Sequence, residues 1–403
     1  MIFNYTIKGL NQTAIGTFFN INDPATQIEI SRFCSQARSA ILKDFVPFYL
    51  GAKHLNRHNW INHNSELVNE LFDLNGQKFA LIADATYIYC QKSSNNRVQR
   101  NTYSVQKKCH LVKPMVICAT DGYIVDVFGP YAAKDNDATI LRHILEKEKD
   151  AENGKFDEIF LEGDLVLLDR GFRDVAVELR EKYKLCPKLP TCVPPSQKAL
   201  TCIEANSSRF VTKCRWVIEA VNGIYQQSFK AVKECVNKSL PHIMDDFKIA
   251  SALINCYKRR LISVEDKQLE IAQKMKALHS KKNHLEREVE KLKINSKLFE
   301  EINASSIWDF PKIEDLNQIR DNITLGSYQL KQCYGYLDEF LNTNGHHSCY
   351  INSEQFTTKN NYRLVYAEIQ SRHKNRTKYK IFVEYEPNIN NTDAFKGIFE
   401  TLT

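Results

Sequence analysis

Three carboxylates in this chain sit where the local sequence would sooner bury something apolar. Asp84 lies inside LIADATYIYC, Asp169 ends LVLLD just before Arg170 and Gly171, and Glu219 sits in the middle of RWVIEAVNG. An ionised carboxylate inside a core needs a cation or a full set of donors, because burying it alone is costly. Taken singly, each acid has an ordinary explanation. Asp84 could begin a turn, Asp169 could cap the next helix, and Glu219 could pair with Arg215 one helical turn earlier. Taken together, they could be the arms of one metal site. Mg²⁺ takes carboxylate oxygens, keeps several waters and leaves positions for phosphate. Two such ions about 4 Å apart can clamp the attacking and leaving oxygens of a phosphodiester. On that second reading the expected cofactor is two Mg²⁺ ions, with Mn²⁺ as a substitute.

Two strands and a helix must bring these acids together. KFALIADATYIYC predicts a strand through Cys90. VKPMVICAT and YIVDVFGP predict two more, joined at Thr120-Asp121-Gly122, where Asp-Gly signals a tight hairpin. KDNDATILRHILEKE predicts a helix, and DLVLLD a short strand buried on both faces. DVAVELREKY reads as a helix, KLCPKLP as a short strand, and SRFVTKCRWVIEAVNGIYQQSFKAV as a long helix. Strands mixed with covering helices over residues 76–262 define an α/β layer fold. If the strands of Asp84 and Asp169 are neighbours, their acids lie side by side. A helix packed across the sheet can then bring Glu219 to the same point.

The flanks differ in character. Residues 1–75 read as helical: a short segment in NQTAIGTFFNIND, a turn at Asn22-Asp23-Pro24, then a helix with Ile28, Ile30, Phe33, Ala37 and Ile41 on one face. That layout suits a helix-turn-helix DNA reader or an ordinary helical hairpin. Residues 263–304 predict a polar helical arm with broken heptads. Residues 305–403 form a small α+β module, with a helical stretch to 345, strands at RLVYAEIQS and KYKIFVEY, and a loose polar tail from Pro387.

Composition narrows the partners. The net charge of +7 is carried entirely by the middle of the chain: residues 76–262 hold 29 basic and 22 acidic residues, while the flanks balance. A localised positive excess is an expected footprint for a polyanion-binding surface. Gln91 to Lys113 holds six Lys or Arg and no acid, directly after the Asp84 strand. Lys92, Arg97, Arg100, Lys107 and Lys108 are candidate phosphate contacts, with Tyr87, Tyr89 and Tyr103 available for stacking. Arg170 and Arg215 could position phosphates or steady the acids. The alternative is a solvated basic loop. His110, His143, His242 and His279 lack spaced partners and read as ordinary histidines. No apolar run reaches membrane-spanning length, and the N-terminus lacks a secretory layout. The twelve cysteines are expected to stay reduced, and Cys186, Cys192 and Cys202 fit no zinc spacing, reading as buried free thiols.

Residues 76–262 resemble the catalytic domain of DDE superfamily endonucleases, the DDE transposases of the Harbinger and insertion-sequence type. The resemblance rests on IADATYIYCQKS, KPMVICATDGYIVDVFGPYAAKDNDATIL, GDLVLLDRGF and RWVIEAVNGIYQQSFK, which carry Asp84, Asp169 and Glu219. It extends to LKDFVPFYLGAKHL, ITLGSYQLKQCYGYL and SRHKNRTKY in the flanks. It implies a ribonuclease H-like fold, a mixed sheet flanked by helices, with Asp84, Asp169 and Glu219 as catalytic metal ligands. It implies a DNA transposase that cuts and joins double-stranded DNA at transposon ends and target by a two-metal mechanism. A homo-oligomer acting in the nucleus follows from that role. A domesticated nuclease, or a catalytically silent DNA-binding or recruiting protein, is the alternative. Many such transposases carry a separate, often zinc-binding, DNA-recognition module ahead of this region. No such pattern occurs here, so either the helical pair reads DNA or the product is shortened.

Overall fold

The computed structural model describes residues 10–20, 24–150, 160–193, 200–261, 267–281, 283–286, 289, 299–339, 348–352, 362–370 and 378–402. The chain divides into two compact units, Met1–Thr191 with Ser207–Ala272, and Cys192–Asn206 with Gln273–Thr403.

The first unit opens with two helices, α1 (Gln12–Phe18) and α2 (Pro24–Asp44). Asn11 caps α1 by accepting the Ala14 N–H at 2.8 Å. The two helices meet through Ile15, Ile30 and Cys34. Ile28 and Phe33, expected on the apolar face, are exposed. Spacing alone put them there, but the short α1 covers only the Ile30–Cys34 portion of the stripe. Arg38 of α2 donates through Nε to Asp246 Oδ1 at 2.8 Å, a pair in which the carboxylate is fully buried. Further on, Ala52 and Trp60 join the same core as the central sheet.

That sheet is built from β1 (Ala80–Ala85), β2 (Ile88–Cys90), β3 (Tyr103–Ser104), β4 (Cys109–Ala119), β5 (Ile124–Ala132), β6 (Leu165–Leu167), β7 (Cys186–Lys188) and β8 (Glu234–Cys235). Its main path runs β7-β6-β1-β4-β2-β8, and β5 lines the other edge of β4. Pairs β1–β6, β6–β7 and β2–β8 are parallel, whereas β4 runs antiparallel to β1, β2 and β5. Helices α3 (Asp137–Asp150), α4 (Arg173–Glu181), α5 (Cys202–Ser228) and α6 (Ile243–Tyr257) complete the unit, α5 from Ser207 onward. This mixed sheet with flanking helices is compatible with a ribonuclease H-like domain.

The strand expected to run unbroken through Cys90 is split at Thr86–Tyr87. Thr86 N–H still donates to Pro114 O at 2.9 Å, but Pro114 has no N–H to return. The opposite edge of β4 shifts register over the same residues, Lys113 to Met115. One proline thus ends β1 just past Asp84. The hairpin at Thr120-Asp121-Gly122 forms as expected, with Gly122 at φ +88° and its N–H on Ala119 O.

The second unit contains β9 (Phe299–Asn303), β10 (Ser348–Asn352), β11 (Arg363–Gln370), β12 (Lys378–Tyr385) and β13 (Phe395–Leu402), all antiparallel, in the order β13-β12-β11-β10-β9. The two expected strands are β11 and β12. The tail expected to be loose instead pairs β13 along β12 from Tyr379 to Tyr385. Tertiary pairing overrides its weak, polar-rich pattern. Helices occupy Gln268–Ser280, which belongs to this unit from Gln273 onward, Leu316–Ile319 and Tyr328–Glu339. Most of SRHKNRTKY and residues 290–298 of the expected helical arm lie outside the described residues, while the end of that arm is strand β9, not helix. All twelve cysteines are free thiols, but Cys192 is exposed and Cys186 and Cys202 are half-buried, not core.

Candidate active site

The two faces of β1 do different work. Leu81, Ala83 and Ala85 pack with Val166 and Leu168 into a core that includes Ile140, Leu141, Ile144, Val175 and Leu179 from α3 and α4. Strand side chains alternate, so Ile82, Asp84 and Leu167 point to the other face. The parallel register pairs Ile82 with Leu167. Asp84 lies two residues past Ile82, and Asp169 two past Leu167, in extended backbone at φ −85° and ψ 180°. Neighbouring strands lie about 4.8 Å apart, so the register carries both acids to one level on one side.

Helix α5 covers that side. Arg215, Glu219, Asn222 and Gln226 form one stripe along it, spaced by three or four residues. Arg215 Nη2 lies 3.5 Å from Asp84 Oδ1, and Asn222 Nδ2 donates to Asp84 Oδ2 at 3.2 Å. Gln226 Nε2 donates to the carbonyl of Tyr87 at 3.0 Å, at the break between β1 and β2. Glu219 sits between residues that grip Asp84, so the stripe turns it toward the same region, although its side chain is exposed. The ion-pair partner of Arg215 is Asp84 across the helix–sheet contact, not Glu219 along the helix.

The electrostatics agree with this placement. Burial pushes the Asp84 carboxyl up to about 7; Arg215 pulls it down, and Asp169, Asp137 and Glu219 each push it further up. Burial also raises the Tyr87 phenol, reinforced by Asp137, Asp84 and Asp169. Asp169 also shapes the backbone that follows it. Its Oδ1 accepts the Gly171 N–H at 2.7 Å and caps the turn Arg170–Phe172. Among the described residues, no three His, Cys, Asp or Glu side chains converge on one point at ligand distance. Asp84, Asp169 and Glu219 share a face and a field, not a closed coordination sphere.

Lys92, Arg97, Arg100, Lys107 and Lys108 lie along the segment between β2 and β4, and all five are exposed. The expected basic loop contains a helix, Asn96–Thr102, and the short β3. Lys107 Nζ lies 5.3 Å from the centre of the Tyr87 ring, which ties this segment to the acids. Arg170 is exposed beside Asp169, whereas Arg215 is buried against Asp84. His110 hydrogen-bonds Thr102 and His143 packs edge-on against Tyr131.

Several residues of this site carry weaker signals in the sequence. Asn222 and Gln226 had a legible one, since they continue the helical spacing of Arg215 and Glu219. Asp137 and Lys113 had none, because only the fold brings them near. Lys113, almost fully buried, bonds the carbonyl of Asp135 at 2.8 Å and Asp137 Oδ1 at 3.2 Å, and lies 5.8 Å from the Tyr87 ring.

Residues 83–255 match the family described as DDE superfamily endonuclease. Over this stretch the chain is similar to DDE superfamily endonucleases. The matched segment starts one residue before Asp84, runs into α6, and holds all three acids. No curated protein and no solved structure matches the chain. A DDE endonuclease domain implies a divalent cation, and the donors here suit one. Asp84, Asp169 and Glu219 offer hard carboxylate oxygens. Asn222 Oδ1, beside them, is a buried oxygen that has no hydrogen-bond partner among the described residues. Asp84, held near neutrality by burial and by its fellow acids, is a carboxylate that a divalent cation would stabilise.

Proposed function

We propose that this DDE endonuclease is a transposase that cuts and joins phosphodiesters of double-stranded DNA, with Asp84, Asp169 and Glu219 holding two Mg²⁺ ions. The observation that carries the reading is the common level of Asp84 and Asp169 on parallel strands, facing the α5 stripe that holds Glu219. Asp84 would serve both ions, and Asp169 and Glu219 one each. Bound there, the ions would polarise the scissile phosphate and neutralise charge at the attacking and leaving oxygens.

The chain's own residues do the rest. Arg215 and Asn222 orient Asp84, and the cap to Gly171 orients Asp169. Lys92, Arg97, Arg100, Lys107 and Lys108 hold the DNA backbone next to the acids, with Arg170 facing solvent beside Asp169 to take a phosphate. A DNA substrate with two ends to be held implies a homo-oligomer and action in the nucleus. Among the described residues, no helix is long and apolar enough to cross a membrane.

The test is nicking of supercoiled plasmid with and without Mg²⁺, followed by a plasmid integration assay. The wild type should nick only with the metal and should integrate a cut end. Folded Asp84→Ala, Asp169→Ala and Glu219→Ala variants should do neither. Nicking without integration would leave a nuclease that has lost strand transfer. Full cutting by a folded Asp169→Ala protein would sink the assignment.

A further inference from the structure

We propose that Asn222 is a positioning residue that sets the orientation of the Asp84 carboxylate toward a bound divalent cation, an inference that rests on Asp84 being a metal ligand. Arg215 approaches one oxygen of Asp84 and Asn222 donates to the other, at 3.5 and 3.2 Å. The carboxylate is therefore held at both ends from a single helix. Each oxygen has two lone pairs and spends one on its donor, which leaves one free for a cation.

The chemical type of Asn222 matters. An amide donor fixes an oxygen without adding positive charge, whereas a second guanidinium or ammonium would repel the cation. The Oδ1 of Asn222 is buried and has no partner among the described residues, so none of these supplies a donor that dictates how the amide is turned. Its donor side is committed to Asp84. Gln226, one turn further along, bonds the Tyr87 carbonyl at 3.0 Å and stops α5 from rotating Asn222 away. Groups that orient a metal ligand in this way typically account for 10- to 100-fold in metal affinity or activity.

The experiment uses the full chain with Asn222→Leu, Asn222→Ala and Asn222→Ser. Mn²⁺ binding is followed by electron paramagnetic resonance, and plasmid nicking is measured against Mn²⁺ concentration. Asn222→Leu, close in shape but without a donor, should weaken Mn²⁺ binding by about 10- to 100-fold. Its half-maximal Mn²⁺ concentration for nicking should rise by a similar factor, and excess Mn²⁺ should restore most of the rate. Asn222→Ser, which keeps a donor, should fall between Leu and wild type. Wild-type Mn²⁺ affinity in folded Asn222→Leu or Asn222→Ala overturns the proposal. Loss of fold in all three variants also overturns it, since Asn222 would then be structural. Asp84→Asn separates the levels: if it leaves Mn²⁺ binding untouched, the metal-centre reading itself fails, whatever Asn222 does.

Discussion

Asp84, inside β1, and Asp169, just past the end of β6, are carried to one level, because each lies two residues beyond Ile82 and Leu167, the last pair of the parallel register between these strands. The pairing explains why LVLLD delivers an acid at the end of an apolar run. Val166 and Leu168 must face the α3–α4 core, so Leu167 and Asp169 face α5. Both strands stop there for local reasons, one opposite Pro114 and the other at the turn capped by Asp169 itself.

Asp84 should make metal-free stability depend on pH. Its folded value near 7 lies above the usual 3.8, so folding favours the protonated form. The stability it contributes is present below about pH 4 and is lost as pH rises through 7. In EDTA, the wild-type melting temperature should fall between pH 5 and pH 8 more steeply than that of Asp84→Asn, and Asp84→Asn should be the more stable at pH 8. Parallel pH profiles of the two proteins would contradict this.

Arg38 should be worth far more than a surface charge. Its partner Asp246 is fully buried, and burial alone would push that carboxyl up. Arg38→Ala strands the carboxylate and should cost about 3–5 kcal/mol in chemical denaturation. Replacing both residues with apolar ones, Arg38→Met with Asp246→Leu, should recover most of the loss. A single-variant cost below about 1 kcal/mol, the range of an exposed pair, would show that the pair does not anchor α2.

Lys107 and Lys108 should contact phosphate without reading sequence. Each contact removed by an alanine substitution should lower the slope of log binding constant against log salt by about 0.9. Affinities for unrelated duplexes should drop alike. Unchanged salt slopes in both variants would move the DNA path elsewhere.

Gly122 should tolerate no side chain. Its φ of +88° strains any L-residue, and an added Cβ would lie 2.7 Å from Leu261 Cδ1. Gly122→Ala should destabilise the first unit by about 1–3 kcal/mol in thermal or chemical unfolding. An unchanged midpoint would mean that the hairpin relaxes around the new methyl group.

Much of this was legible in the sequence, for identifiable reasons. The acids announced themselves because Asp84 and Asp169 interrupt apolar runs, and Glu219 lies on a helix with strong 3.6-residue spacing. The hairpin at Asp121-Gly122 followed from turn chemistry. Pro114 was visible, but its effect on the facing strand at Thr86 was not, since pairing partners are not written in local pattern. The same holds for Asp137, whose field reaches Asp84 only through the fold, and for β13, whose residues show no clear alternation. Arg215 reads in the sequence both as a neighbour of Glu219 along the helix and as a residue that could steady the acids. The contact across to Asp84 won because that carboxylate is buried and needs the charge more.

The most direct measurement is anomalous diffraction from crystals of the full chain soaked in Mn²⁺. Density between Asp84 and Asp169, with Glu219 at its edge, is the expected result. Mn²⁺ bound only elsewhere, while these three side chains stay unliganded, would contradict a metal centre built from them.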